Sequence, residues 1–291
     1  MLSGSLKSFA HHARYFPLWS ALTLVRWRSF DLRSRGLGTT FAAVMRWFPP
    51  ANRRFDREAR RVFPDMKRSE RAKLGQEMGR HMGRTLFEIY HDAEFQTQHQ
   101  KFRVSGPGLD ALKKAQAAGK GAIIVSGHFG QWEAVRAALK MHGLESGAVY
   151  RPHKNRHYER RIRTGIEAGG RPILATGRVG TRALVQHLRK GGIISILLDE
   201  KYAEGVRLPF LGLDALTSLS AAQLALRYDL PMVPAYGTRI EDGNAFRVDF
   251  EAPIPHTDSV TMTRAFNDSL SARIMANPDQ WYWMLRRWDG Q

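Results

Sequence analysis

The 291-residue sequence contains no cysteine. Disulfides, thiolate metal sites and a cysteine nucleophile are therefore excluded, and the composition fits a reducing compartment. Acidic residues are scarce, with 27 Asp and Glu against 45 Lys and Arg, and the net charge is +18. Such an excess points to an anionic partner, whether nucleic acid, a membrane surface, an acidic protein or an acidic substrate. The patterns G-x-G-x-x-G, Walker A, G-x-S-x-G and H-E-x-x-H are all missing, which argues against dinucleotide, nucleotide, serine-hydrolase and zincin chemistry. No base-stacking motif of the RRM or OB type accompanies the basic charge, so nucleic acid is not the expected partner. There is no internal repeat and no low-complexity linker. Within residues 1–64 the longest uncharged run, Tyr15–Val25, has eleven residues. A spanning helix needs about 20, and no small-residue cleavage site follows to make this a signal peptide.

What the N-terminal segment does have is charge mixed with aromatics. Residues 1–64 carry twelve Lys and Arg against three Asp and Glu, half of the net charge. Trp19, Trp27, Phe30, Phe41, Trp47 and Phe48 are interleaved with them. That mixture predicts a helical, membrane-associating region, rings at headgroup level and arginines on lipid phosphates. An amphipathic helix packed on the rest of the chain is the competing reading. The expected organisation is a basic region over 1–64, closed by Pro49-Pro50 and the following turn, and an α/β domain over 65–291.

The α/β domain is organised around residues 123–133, Ile-Ile-Val-Ser-Gly-His-Phe-Gly-Gln-Trp-Glu. Its apolar, β-branched start reads as a buried strand, and from Gln131 the spacing of Trp132, Val135, Ala138 and Leu139 reads as a helix. His128 thus falls on a tight turn beyond the carboxyl end of a strand, where open α/β sheets bind ligands. Glu133 follows within the first helical turn, placed to fold back on the imidazole. The pair predicts a general base, His128, whose tautomer is fixed and whose imidazolium is stabilised by Glu133. A structural histidine bonded to a neighbouring acid is the plainer alternative. Around this stretch, helices are predicted at 69–89, 109–117, 131–142, 155–168, 178–189, 218–228 and 261–277. Strands are predicted at 122–126, 148–150, 172–174, 193–198, 232–236 and 246–250. The alternation argues a mixed, mostly parallel sheet layered by helices. Glu88 and His91 have the E-x-x-H spacing of a di-iron ligand pair, but the required second copy is absent, so no metal site is assigned.

Ser126-Gly-His-Phe-Gly-Gln-Trp-Glu133 resembles the active-site motif of the lipid A biosynthesis acyltransferases, the lauroyl/myristoyl acyltransferase family with its H-x4-D/E dyad. Tyr150-Arg151-Pro-His-Lys154-Asn155 is similar to a second family segment and follows a strand, so Arg151 can meet phosphates at the same sheet end as His128. Arg160-Arg161-Ile-Arg163 matches positions where the family carries basic residues assigned to substrate contact. Ile194 through Glu200 is an apolar strand delivering two acids, Asp199 matching the family's acid and Glu200 departing from its usual His or Gln. The ending Asn277-Pro-Asp-Gln-Trp281-Tyr-Trp283-Met-Leu-Arg286-Arg287-Trp288 is also similar, with Met284-Leu285 a departure. The resemblance implies His128 and Glu133 as catalytic residues, and Arg151, Asn155, Arg161, Arg163, Asp199 and Glu200 as substrate-binding ones. It implies transfer of a fatty acyl chain from acyl carrier protein to a hydroxyl of a lipid A precursor. The place would be the cytoplasmic face of the inner membrane, with neither metal nor cofactor. A relative acting on a phosphatidylinositol mannoside is the alternative, and a catalytically inactive membrane scaffold is the reading from another class. The oxyanion is expected at the amides of Gly127–Gly130 or at Arg151.

Overall fold

A computed structural model describes residues 27–153, 155–243 and 245–288. Three helices come first: α1 (Phe30–Trp47), α2 (Pro49–Val62) and α3 (Arg68–Tyr90). Ser29 caps α1 by accepting from the Leu32 amide, with Asp31 in the first turn and Arg46 in the last, each suited to the helix dipole. Two prolines open α2, where a missing N–H costs nothing. A short helix α4 (Asp92–Phe95) and strand β1 (Phe102–Ser105) lead into the alternating part. There follow α5 (Gly108–Ala117), β2 (Ala122–Ser126), α6 (Glu133–Met141), β3 (Ser146–Tyr150), α7 (Arg156–Gly169), β4 (Ile173–Ala175), α8 (Arg178–Arg189) and β5 (Ile193–Leu197). The chain ends with hairpin β6 (Val206–Phe210) and β7 (Leu213–Thr217), then α9 (Ser220–Tyr228), β8 (Met232–Ile240), β9 (Ala245–Phe250) and α10 (Ser259–Ala276).

Seven strands form one sheet in the order β1-β9-β8-β2-β5-β3-β4. Every pairing is parallel except β8 with β9. This is the mixed, mostly parallel sheet that the alternation predicts. β2 lies at its centre and is buried on both faces, which is why it reads as an unbroken apolar run. Ile123 and Val125 join one core with Ala221, Ala222, Met262 and Phe266 from α9 and α10. Ala122 and Ile124 join the opposite core with Leu109, Leu112, Ala134 and Ala138 from α5 and α6.

The N-terminal helices contribute to these cores. Met45, Phe55 and Ala59 belong to the first, and Phe30 packs edge-on against Phe87 of α3 in the second. The expected boundary at residue 64 falls in the turn between α2 and α3, and side chains from both sides of it share one core. Among the described residues no helix is long and apolar enough to cross a membrane. The run Tyr15–Val25 lies outside the described residues.

Two features escaped the sequence pattern. β1 is a four-residue edge strand paired only with β9. The β6–β7 hairpin turns through Leu211 and Gly212, both with positive φ (52° and 76°). That is the two-residue turn geometry normally announced by Asn-Gly, and a leucine at its first position hides the signal.

Candidate active site

The site grows from the turn that follows β2. Gly127 lies so close to its neighbours that a Cβ there would sit 2.6 Å from Leu270 Cδ2 and 3.0 Å from Asp199 Oδ2. At Gly130, φ is +57° and a Cβ would sit 2.1 Å from the Gly237 carbonyl oxygen. Only glycine permits both approaches. The turn is then fastened on all sides. The Phe129 amide donates to the Gly127 carbonyl (2.7 Å), Gly130 to Gln280 (2.8 Å), Gln131 to Gly237 (2.7 Å), and Tyr282 donates back to the His128 carbonyl (3.0 Å). Two of these ties come from the C-terminal segment, which explains why that segment carries recognisable sequence so far from the turn.

His128 is held by Asp199. Its Nδ1 lies 2.8 Å from Asp199 Oδ1, and its backbone amide donates to Asp199 Oδ2 at 2.7 Å. Trp281 Nε1 donates to the same Oδ2 at 2.8 Å. The buried carboxylate thus has three donors around it, the arrangement that keeps a carboxylate ionised inside a protein. Burial alone would raise its pKa, but His128 and these hydrogen bonds together hold it below the ordinary carboxylate range. For His128, burial pulls the pKa down, and the Asp199 charge, its hydrogen bond and the Glu200 charge outweigh that and leave it raised. The imidazole side chain keeps 20% of its exposure, whereas Asp199 has none. With Nδ1 engaged as donor, Nε2 is the ring nitrogen left for chemistry.

The expected pairing of Glu133 with His128 does not form. Glu133 Oε2 instead accepts from Arg136 Nη1 at 2.7 Å, and both side chains are almost fully buried. Arg136 also donates to the carbonyls of Ser146, Ile166 and Gly170, so it pins α6 to β3 and α7. Three residues of helix bring Glu133 and Arg136 onto one face, and that local geometry wins over a reach back across the turn. Gln131 extends the network, accepting from the Glu133 amide and donating to Glu88. Glu88 in turn is bound by Arg239 Nη1 at 2.9 Å, while His91 stacks on Phe87. Three of the turn amides expected to serve an oxyanion, those of His128, Phe129 and Gly130, already have acceptors within the protein.

A cavity of about 400 Å³ opens at His128, within the usual range for small-molecule sites. Met82, Leu86, Ile89, Val135, Ile162 and Ile166 give it apolar walls, and Trp132 stands edge-on to the imidazole at 5.2 Å. Glu133, Arg151 and Glu200 also line it. Arg151 donates to Glu200 Oε2 at 2.8 Å in an exposed pair, a contact worth about 0–1 kcal/mol that an anionic ligand can readily replace.

The other expected binding residues are elsewhere. Asn155 is the N-cap of α7, its Oδ1 accepting from the His157 amide at 3.0 Å. Arg163 pairs with Glu167 on the outer face of α7, while Ile162 and Ile166 face the cavity. Arg161 lies over the Tyr90 ring, 5.5 Å from its centre, beside His91. None of the three lines the cavity. Trp281 and Arg287 were not singled out by the sequence for this role. The Arg287 guanidinium, buried, donates to Thr217 Oγ1 and to the Leu216 carbonyl, and also to the Glu200 carbonyl at 3.3 Å. It thereby braces the segment that carries Asp199. Only the similarity of the ending to a known pattern pointed there.

Residues 6–289 match the family described as bacterial lipid A biosynthesis acyltransferase. The chain is 25% identical to the lipid A biosynthesis palmitoleoyltransferase of Escherichia coli over 95% of this chain and 92% of that protein. It is 24% identical to the lipid A biosynthesis lauroyltransferase of the same organism, again over 95% and 92%. A phosphatidylinositol mannoside acyltransferase of Mycobacterium tuberculosis is 26% identical over 64% of this chain and 60% of its own length. With a match spanning nearly every residue and an imidazole–carboxylate pair at the mouth of an apolar cavity, this chain is an acyltransferase belonging to the bacterial lipid A biosynthesis acyltransferase family.

Proposed function

We propose that the protein moves a fatty acyl chain from acyl carrier protein to a hydroxyl of a lipid A precursor, with His128 as general base and Asp199, in place of Glu133, as its partner. The observation that carries this reading is the Nδ1–Asp199 contact, which leaves Nε2 to accept a proton beside an apolar cavity. The acceptor hydroxyl gives its proton to Nε2 while its oxygen attacks the thioester carbonyl. Asp199 stabilises the imidazolium that forms. The tetrahedral intermediate collapses, the C–S bond breaks, and the imidazolium proton goes to the departing thiolate. The thioester is already activated, so the proposal includes no metal and no cofactor. Arg151 is the group assigned to the developing oxyanion, since it is the cation at the cavity mouth and is held there only by an exposed pair.

The anionic partners find support in the charge distribution. Arg53, Arg57, Arg60, Arg61, Arg68 and Arg71 line a concavity of about 610 Å³ between α2 and the start of α3. Next to it, Trp47 and Phe48 are 73% and 54% exposed. Arginines beside exposed rings suit an anionic membrane surface, and an acidic carrier protein would be drawn by the same field. On this reading the protein works at the cytoplasmic face of the inner membrane.

A phosphatidylinositol mannoside acceptor is the second reading, supported by the mycobacterial relative. Its match covers 64% of the chain against 95% for the lipid A enzymes, which favours the lipid A precursor. The test is mass spectrometry of the products formed from acyl carrier protein thioesters by the purified protein, with each glycolipid supplied in turn. Acylation of the lipid A precursor by the wild type, lost in His128→Ala, is expected. Acylation of the mannoside alone would reassign the acceptor, and equal turnover by His128→Ala would remove the mechanism.

A further inference from the structure

An acyl transfer onto a lipid needs room at one base for both the donor's chain and the acceptor, and the cavity at His128 accounts for one. A second groove, about 750 Å³, lies on the other face of the sheet, between α8 and α9. The two share Val149, Thr176 and Ile196. Those residues stand at the carboxyl ends of β3, β4 and β5, so the two cavities meet at the end of the sheet that also carries His128. The groove has a divided lining. Leu174, Leu184 and Leu224 give it an apolar floor. Arg178 and Arg182, one turn apart on α8, stand at its rim. Both are exposed, and neither has an acidic partner among the described residues.

We propose that this groove holds the acceptor, and that its ligand is an acylated glycolipid bearing phosphate. The apolar floor takes a hydrocarbon chain of the acceptor, the two guanidiniums take its phosphate in paired, charge-assisted contacts, and the crossing at Val149, Thr176 and Ile196 delivers a hydroxyl towards His128. The donor chain then occupies the cavity between α3, α6 and α7. The assignment rests on the acyl-transfer reading above and adds where each substrate lies.

The test separates the two substrates and also measures binding without turnover. The double variant Arg178→Glu/Arg182→Glu should raise the KM for a phosphorylated lipid A precursor at least about tenfold, because two charge-assisted contacts are replaced by repulsion. The KM for the acyl carrier protein thioester should not follow. The same precursor with its phosphates removed should be bound equally by both proteins. Arg178→Gln/Arg182→Gln, which avoids new negative charge, should show a smaller change of the same sign, and matched melting curves should show that each variant is folded. Direct binding of phosphorylated precursor in detergent micelles to His128→Ala protein should weaken in parallel when the arginine changes are added. An unchanged acceptor KM, or a rise confined to the donor, would overturn the assignment. If no acyl transfer occurs with any glycolipid but the arginine changes still abolish phosphate-dependent binding, the groove stands and the transfer reading fails.

Discussion

Two buried carboxylates flank the catalytic cavity, and they do opposite work. Asp199, at the end of β5, is given to an imidazole that keeps a partly exposed edge. Glu133, at the start of α6, is given to a guanidinium that is itself fully engaged. The first pair leaves one nitrogen unsatisfied and facing substrate. The second ties a helix to the strand and helix beside it, through the three carbonyls that Arg136 also holds. The imidazole of the first pair can take up and release a proton near neutral pH, whereas the guanidinium of the second stays charged and fixes its carboxylate in place.

Substitutions at the two pairs should therefore fail in different ways. His128→Ala removes the base, and kcat should fall roughly 10²–10⁴-fold with the fold intact. Asp199→Asn should fall within the same range through loss of imidazolium stabilisation and tautomer control. The double variant should be little worse than either single one, because members of one catalytic unit are not additive. Steady-state kinetics on folded protein checks all three. Glu133→Gln should behave otherwise. It strands the Arg136 charge in the interior, at a cost of about 3–5 kcal/mol. The melting temperature should drop, while kcat well below it stays close to that of the wild type. Glu133→Leu combined with Arg136→Met should recover much of the stability, as calorimetry would show.

Effects shrink towards the surface and towards neutral groups. Arg151→Ala breaks only an exposed pair, so stability should hardly move, whereas kcat should fall by roughly 10²–10³-fold if Arg151 meets the oxyanion. Lysine there should rescue incompletely if the contact is bidentate. The smallest effect concerns Asp92, buried near Glu133. Burial, then the Glu133 charge, push its pKa up to about 8 from an ordinary 3.8. A carboxyl whose pKa is raised in the folded state favours the fold fully below its unfolded value of 3.8, and that contribution is lost as pH rises from there to about 8. Asp92→Asn should be nearly neutral at about pH 4 and increasingly more stable than wild type up to about pH 8, a difference thermal melts across that range would reveal.

Much of this arrangement could be read from the residues. β2 at Ala122–Ser126 and α8 at Arg178–Arg189 fall where the periodicity puts them, because a buried central strand and an amphipathic helix carry strong local signals. The turn with His128 between two glycines was legible for the same reason. Its partner was not, although Asp199 stands at the end of an apolar strand. The decisive fact is register. Ser126 lies opposite Leu197 in the β2–β5 pairing, so His128 and Asp199, each two residues further on, are delivered side by side. Sequence spacing favours the acid five residues away and says nothing about which strands are neighbours. Trp281 and Arg287 were hidden more deeply, since their contacts with Asp199 and its segment close loops of about eighty residues. Asn155 shows a different ambiguity. A polar residue after a strand and before a helix matched a binding motif, yet a helix needs a cap at that place.

The central claim is that Asp199 and not Glu133 sets the state of His128. The direct test is the pH dependence of kcat/KM in three proteins. His128 must be neutral to act as base, so activity should be lost as pH falls through its pKa. The Asp199 and Glu200 charges hold that pKa above its ordinary 6.5 against the opposing effect of burial. In Asp199→Asn the main opposing charge is gone, and the acid limb should move to lower pH while the plateau drops. In Glu133→Gln the limb should stay where the wild type has it. A limb displaced by Glu133→Gln and unmoved by Asp199→Asn would contradict the account and restore the helix-borne acid as the catalytic partner.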